Sequence, residues 1–329
     1  MRQGLMGGGA LLAIGALTLA FGWHIAVGAK AIPLLTVAEA VFSPDPESFD
    51  HVVIRDLRLP RAVFAVLVGA ALAVAGALMQ GVTRNPLAEP GLLGLLSGAS
   101  FAVVMAVGVF DLATTAVVPL IAAAGALGAA VIVWTIAVSA PGGATPLTLV
   151  LSGAAVTAFL AALISIANLL DEDTFENLRV WLTGTLAGRP PGILIWTLPW
   201  FAAGLLVAVA VARQVTALAM GDETATGLGV DVTRLKALVL FAVVSLTASA
   251  VAIAGPMAFV GLIVPHAVRL IVGHDYRMIV PFSALFGATF LLLTDIAARM
   301  VLAPVEISTG IVTALLGAPF FVWLVRARL

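Results

Sequence analysis

The chain contains no cysteine, which excludes disulfide bonds, thiolate catalysis and cysteine-ligated metal centres. Charge is scarce too: 10% of the 329 residues are Asp, Glu, Lys or Arg, against about a quarter in soluble domains. There is no Gly-x-x-x-x-Gly-Lys-Ser/Thr phosphate loop, so the chain does not hydrolyse ATP itself. A His-Glu-x-x-His metal motif is also missing, as is any fixed-period repeat. No hydrophilic stretch is long enough to form a second domain.

What fills the chain is apolar. Hydrophobic residues make up 62% of it, and the mean hydropathy is +1.18. That much apolar surface cannot be hidden in a water-soluble core, so the solvent is lipid. One helical span takes about 20 apolar residues, which leaves room for about ten. The runs fall at 5–29, 60–82, 91–110, 114–138, 146–170, 193–212, 235–254, 257–272, 278–302 and 307–325. The expected fold is all-α, a single polytopic membrane domain over residues 1–329. The 32 glycines and 17 prolines suit closely packed, locally broken membrane helices. The eighth run is short and framed by Gly255-Pro256 and Pro265, so a bent or partial span is expected there. The first run follows Met1-Arg2 as a signal peptide would, but it is longer than a signal core and further spans follow.

An even number of spans puts both termini on one side. With the termini in the cytoplasm, seven of the 16 basic residues lie outside: Lys30, Arg55, Arg58, Arg61, Arg179, Arg189 and Arg299. The remaining nine lie inside, a weak positive-inside bias. Trp23, Trp181, Trp196 and Trp200 then fall near the outer interface, and Trp134 and Trp323 near the inner one.

Three segments stand out. Residues 83–94 put charge, two prolines and two glycines between two apolar runs. They read either as an ordinary polar turn or as a break whose freed backbone groups face a pathway. Arg55, Arg58 and Arg61 follow one another at i, i+3, i+6, with Pro60 suited to a helix start, so they fall broadly on one face. Arginines there either snorkel at a helix end or bind carboxylates bidentately. The loop 213–236 contains Gly221-Asp222-Glu223, carboxylates suited to a helix N-terminus, with Gly227 and Gly229 suited to its end. That is either an ordinary capped loop helix or a lever for a soluble partner.

The string Thr83-Arg84-Asn85-Pro86-Leu87-Ala88-Glu89-Pro90-Gly91-Leu92-Leu93-Gly94 closely resembles the signature of FecCD-type permeases, subunits of bacterial ABC importers for ferric siderophores, haem and cobalamin. The resemblance runs from about Arg55 to the C-terminus. It includes Arg58-Leu59-Pro60-Arg61, the segment 254–269 and Thr294 to Arg299. It implies the cobalamin-permease-like, type II importer fold in the bacterial inner membrane. It implies a coupling helix over Gly221, Asp222, Glu223, Ala225, Leu228 and Gly229 that sits in a cleft of a separate ATPase. Arg58, Arg61, Arg299 and Arg55 are then expected to receive acids of a periplasmic substrate-binding protein. Asp295 and Arg299, at i, i+4, also suit a local ion pair. The pathway and gate are expected at Asn85, Pro86, Leu87, Pro146, Leu147, Ser152, Gly153 and Thr157, beside a second permease that is a copy or a paralogue. Plain helix packing also accounts for the small residues of the fifth run.

The same resemblance implies no catalytic residue, metal or cofactor on this chain, with ATP and magnesium on a dimer of ATPase subunits, and no nucleic-acid partner. Residues 180–189 look most like the siderophore branch, whereas Leu95-Leu96 departs from the family's small or polar pair. His266 lies in a motif shared by permeases for unlike solutes, so a structural histidine is expected there rather than a haem ligand. An ion-coupled secondary transporter is the competing class. Proton coupling needs an ionisable group deep in a span, and the charges cluster at span ends, with Asp295 and Arg299 the nearest exceptions.

Overall fold

The computed structural model describes residues 2–28, 30, 32–108, 110, 117–141, 143, 145–170 and 181–328. Arg179 and part of the fourth expected run lie outside them. The described residues form helices and no strand. They are α1 (Arg2–Ala26), α2 (Leu34–Phe42), α3 (Phe49–Val52), α4 (Leu59–Thr83), α5 (Leu95–Gly108), α6 (Val118–Ser139) and α7 (Pro146–Leu170). After these come α8 (Ile193–Ala219), α9 (Asp222–Gly227), α10 (Val232–Ala254), α11 (Val260–Val272), α12 (Tyr276–Met300) and α13 (Thr309–Arg328). Seven helical stretches are long and apolar enough to cross a membrane, and α5, α11 and α13 supply shorter apolar helices. Each of the ten expected runs therefore contains a helix in its described part, and the eighth holds the short helix α11. The protein is an all-helical, multi-pass membrane protein.

The chain alternates between two faces. On the arginine face α1 ends and α4 begins; on the loop face α4 ends and α9 lies. Helix α4 is the axis of the bundle, packed against α8, α10, α11 and α12. Its Ala- and Gly-rich sequence makes it thin enough to be surrounded, and backbones come together at glycine pairs. A Cβ on Gly76 would stand 2.0 Å from the Gly261 carbonyl oxygen, and one on Gly69 would stand 2.2 Å from that of Gly287. Close approach of this kind lets van der Waals packing hold helices in lipid, where no hydrophobic drive between them exists. Gly76→Ala is therefore expected to lower stability by about 1–3 kcal/mol, as overpacking does, read as thermal unfolding in detergent. Gly128→Ala, at a position with open space around it, is the matched control and changes little.

Two expectations are refined. Pro60 stands at the start of α4 as expected, but the chain is already helical from Phe49, and a wide π-helical turn over Val53–Arg58 leads into it. In that turn the Leu59 N–H reaches back to the Ile54 carbonyl, one residue further than in an α-helix, and Pro60, which has no N–H to donate, follows it. The wider turn shifts the helical phase, so Arg55 is exposed while Arg58 is buried. Helix α8 also runs to Ala219 rather than 212, because Val215 and Leu218 are fully buried and extend its packing past the apolar run.

Candidate functional site

On the loop face, α4 ends where Arg84 adopts the left-handed conformation (φ 52°), and Pro86 follows. The Asn85 side chain accepts from the Leu87 N–H at 2.9 Å, and a 3-10 turn over Gly91–Leu93 then leads into α5. The turn is not a surface loop. Ala88, Glu89 and Pro90 are buried, and Pro90 lies against Gly261 at the start of α11.

Helix α11 begins inside the protein. Gly255 (φ 75°) ends α10 against the Trp181 carbonyl, where a Cβ would stand 2.1 Å from the oxygen. The non-helical stretch after it leaves amides needing acceptors. One acceptor is Glu89, whose Oε2 takes the Phe259 N–H at 2.9 Å. Phe259 is itself left-handed (φ 69°), with its ring against Gly317 of α13. Gln80 adds a second tie, donating to the Gly261 carbonyl at 3.1 Å while accepting from Arg269. The turn after α4, the partial span and α13 thus form one connected unit.

Helix α9 is joined to the same turn. Asp222 accepts a hydrogen bond from Lys236 Nζ at 2.8 Å and pairs with Arg84 Nη2 at 3.3 Å. The Lys236 hydrogen bond holds the Asp222 carboxyl below the usual carboxylate range. Asp222 and Glu223 do stand in the first turn, but neither caps it: the N-cap is Gly221, with no side-chain hydrogen bond. Two nearby cations draw the Asp222 carboxylate away from the amides. Ala225 is the buried anchor of the helix, Leu228 is exposed, and left-handed Gly229 (φ 80°) ends it.

Among the described residues, helix α7 packs along one side, on α5, α6 and the 3-10 turn over Gly91–Leu93. Ser152 and Gly153 face the chain's own helices, and the Thr157 hydroxyl is buried near Gly94. The open side carries Leu147, Leu151 and Phe159 instead, at 67%, 60% and 64% exposure. Pro146 is the first residue of α7, and Asn85, Pro86 and Leu87 are half-buried in the turn at the same face.

On the arginine face, the last carbonyls of α1 have no helical partners, and two arginines supply donors. Arg58 donates to the carbonyls of Ile25 (2.8 Å), Ala26 (2.9 Å) and Lys30 (2.5 Å). Arg299 donates to those of Val27 (3.0 Å) and His24 (3.1 Å). Cations also oppose the negative end of the helix dipole. Arg61 forks onto Asp295, Nε to Oδ2 at 2.8 Å and Nη2 to Oδ1 at 3.0 Å, and reaches Glu306 at 2.8 Å. Asp295 is 0% exposed and also meets His24 Nε2 (2.9 Å) and the Thr309 hydroxyl (2.6 Å). Its ion pair with Arg299 is longer, at 3.4 Å. Arg58, Arg61, Arg299 and Arg189 line one cavity of about 590 Å³; Arg55 does not. His266 is buried, edge-on to Phe320 at 5.8 Å between ring centres.

Sequence reasoning missed Glu89, His24 and Arg189. Glu89 had a local signal, a carboxylate between two prolines after an apolar run. His24 and Arg189 had none, because their surroundings come from distant helices.

Buried helix-breaking turns, a partial span and a packed loop helix among the ten apolar helices of the described residues fit a membrane transport permease. The FecCD transport family model matches residues 16–327, and the chain belongs to that family. It is 45% identical to the iron(3+)-hydroxamate import system permease protein FhuB of Bacillus subtilis, over 98% of this chain and 82% of that one. It is 40% identical to the ferric enterobactin transport system permease protein FepD of Escherichia coli (95% and 93% covered). Identity to the cobalamin import system permease protein BtuC of Halobacterium salinarum is 43% (90% and 79% covered). A solved metal-chelate type ABC transporter in an inward-facing conformation superposes with a TM-score of 0.83 at 28% identity, covering 99% of both chains.

Proposed function

We propose that this chain is the permease subunit of an ABC importer that moves a ferric siderophore into the bacterial cytoplasm by alternating access. The main support is the family match over nearly the whole chain, joined to a short loop helix fastened by ion pairs to a buried helix-breaking turn. Hydroxamate and enterobactin permeases among the relatives favour iron chelates. Cobalamin is the second reading, favoured by 43% identity to a cobalamin permease.

In this arrangement the loop face is cytoplasmic, both termini are there, and the membrane is the inner one. Helix α9, with Gly221, Asp222, Glu223, Ala225, Leu228 and Gly229, docks on a separate ATPase dimer that carries ATP and magnesium. The open side of α7 meets a second permease across the pathway, with Asn85, Pro86, Leu87, Pro146, Leu147, Ser152, Gly153 and Thr157 near the gate. The arginine face, with Arg55, Arg58, Arg61 and Arg299, receives the periplasmic substrate-binding protein.

Proteoliposomes holding this permease, its ATPase and its binding protein are expected to take up ferric hydroxamate when given ATP. Without the ATPase they take up none. Cobalamin uptake in place of iron chelates would move the solute to the second reading, and ATP-dependent uptake by the permease alone would overturn the assignment.

A further inference from the structure

We infer that Arg189 is a further docking contact, one that accepts a carboxylate of the substrate-binding protein, while Arg58 and Arg299 are tied to the end of α1 in this structure. The inference rests on the docking reading above and names a residue which that reading does not contain.

The four arginines of the cavity differ in what already occupies their donors. Both terminal nitrogens of Arg58 donate to backbone carbonyls, and so do both of Arg299. Arg58 is 8% exposed. Drawing its guanidinium out to an incoming acid would break three hydrogen bonds and leave the Ile25 carbonyl without this donor, and unpaired buried polar groups are costly. Arg61 already holds two carboxylates, Asp295 and Glu306.

Arg189 differs from all three. Its one hydrogen bond runs from Nε to the Thr185 carbonyl at 3.4 Å. No carboxylate among the described residues lies within ion-pair distance, and both terminal nitrogens remain available.

Its surroundings suit a waiting contact. Left-handed Gly188 (φ 66°) turns the chain just before it, and Pro190-Pro191 fix the backbone just after. The side chain is half-buried in the cavity wall. Burial without a compensating anion lowers the Arg189 pKa to about 10, so the group stays charged at neutral pH. A guanidinium that has lost water and gained no counter-charge favours a carboxylate, and its fork geometry accepts one bidentately. The local charge balance agrees. Among the described residues, four arginines face the cavity with Asp56 and Glu306, and Asp295 lies beneath them, which leaves one positive charge uncompensated there.

The partner is thus a folded protein that presents one exposed Asp or Glu to this cavity. The test uses the complete transporter in nanodiscs and the binding protein of the same transport system, with affinity read at low and high salt. Arg189→Glu is expected to weaken binding by at least about tenfold. Arg189→Lys, which keeps the charge but loses the fork, falls between it and wild type, and the difference narrows as salt rises. Reversing one acidic residue of the binding protein to arginine is expected to restore binding to Arg189→Glu, a rescue that a structural role does not produce. Should Arg189→Glu assemble poorly, Arg189→Gln removes the charge alone and is expected to weaken binding in the same sense. Wild-type affinity in the charge-removed transporter, or no rescue by any single acid reversal, overturns the inference while docking stands. Failure of the wild-type transporter to bind its binding protein at all overturns the docking reading itself.

Discussion

Asp295→Ala is expected to destabilise the protein by about 3–5 kcal/mol, the cost of removing one member of a buried ion pair. Asp295 is fully buried and meets Arg61 through two bonds, His24 through Oδ2 and the Thr309 hydroxyl through Oδ1. Alanine strips all of these at once. Arg61 keeps only Glu306, at the rim, while His24 and Thr309 lose their partners inside the protein. The site also joins four segments that are far apart in sequence: the end of α1, the start of α4, the end of α12 and the start of α13. The loss should therefore appear as poor folding of the whole bundle, read as a lower thermal midpoint and less monodisperse protein in detergent. Asp295→Asn keeps the shape and one acceptor, and falls between wild type and alanine. Replacing Arg61 and Asp295 together by Met and Leu removes both charges and is expected to recover much of the loss, as apolar replacement of buried pairs commonly does. A midpoint for Asp295→Ala within the error of wild type would remove Asp295 from the centre of this network.

The sequence made the spans legible and the polar contacts much less so, for one physical reason. A span is a local property: a run of apolar residues closed by Pro, Gly or charge, and each of the ten runs became a helix in its described part. The partial span at 257–272 was legible for the same reason, since Gly255-Pro256 is a local stop. The polar hub at Asp295 is not local. Arg61 and Asp295 are 234 positions apart, His24 and Asp295 are 271 apart, and no periodicity links them. Only the i, i+4 pair of Asp295 and Arg299 was visible, and it is the longest of the contacts made by the carboxylate. The π-helical turn before α4 was hidden too, because Pro60 looks the same at a helix start as it does after a helical turn that has widened. Resemblance to a family reached the arginine motif but not its present occupation, which depends on where the end of α1 lies.

Charge reversal at the loop face, Asp222→Lys, is expected to cut coupled uptake by more than about tenfold while leaving the bundle folded. Asp222 lies 3.3 Å from Arg84 and 2.8 Å from Lys236, and all three are partly exposed. Exposed pairs of this kind contribute at most about 1 kcal/mol to stability, far too little to decide whether a many-helix protein folds. Their position matters more than their strength. Arg84 is the left-handed residue that turns the chain into the Asn85 to Pro90 segment, whose buried Glu89 holds α11. Asp222 opens the short helix proposed to sit on the ATPase. The ion pair thus links the proposed lever to the turn, the route by which movement of α9 would reach α4, α5 and α11. Lysine at 222 sets a third cation beside Arg84 and Lys236 and pushes the two elements apart. The readout is solute carried per ATP hydrolysed in proteoliposomes, with hydrolysis itself expected to persist. Restoration by the swap Arg84→Asp with Asp222→Arg separates the ion pair from any other role, and aspartate tolerates the left-handed conformation at 84. Acidity gives an independent check. The Asp222 carboxyl sits below its ordinary range, so the charge it contributes is complete above the unfolded value and is lost only as pH falls through the lower folded value. Coupling should therefore hold at about pH 5 as it does at neutrality. Unchanged transport per ATP in Asp222→Lys, or failure of the swap to restore it, would show that force reaches the turn by another route.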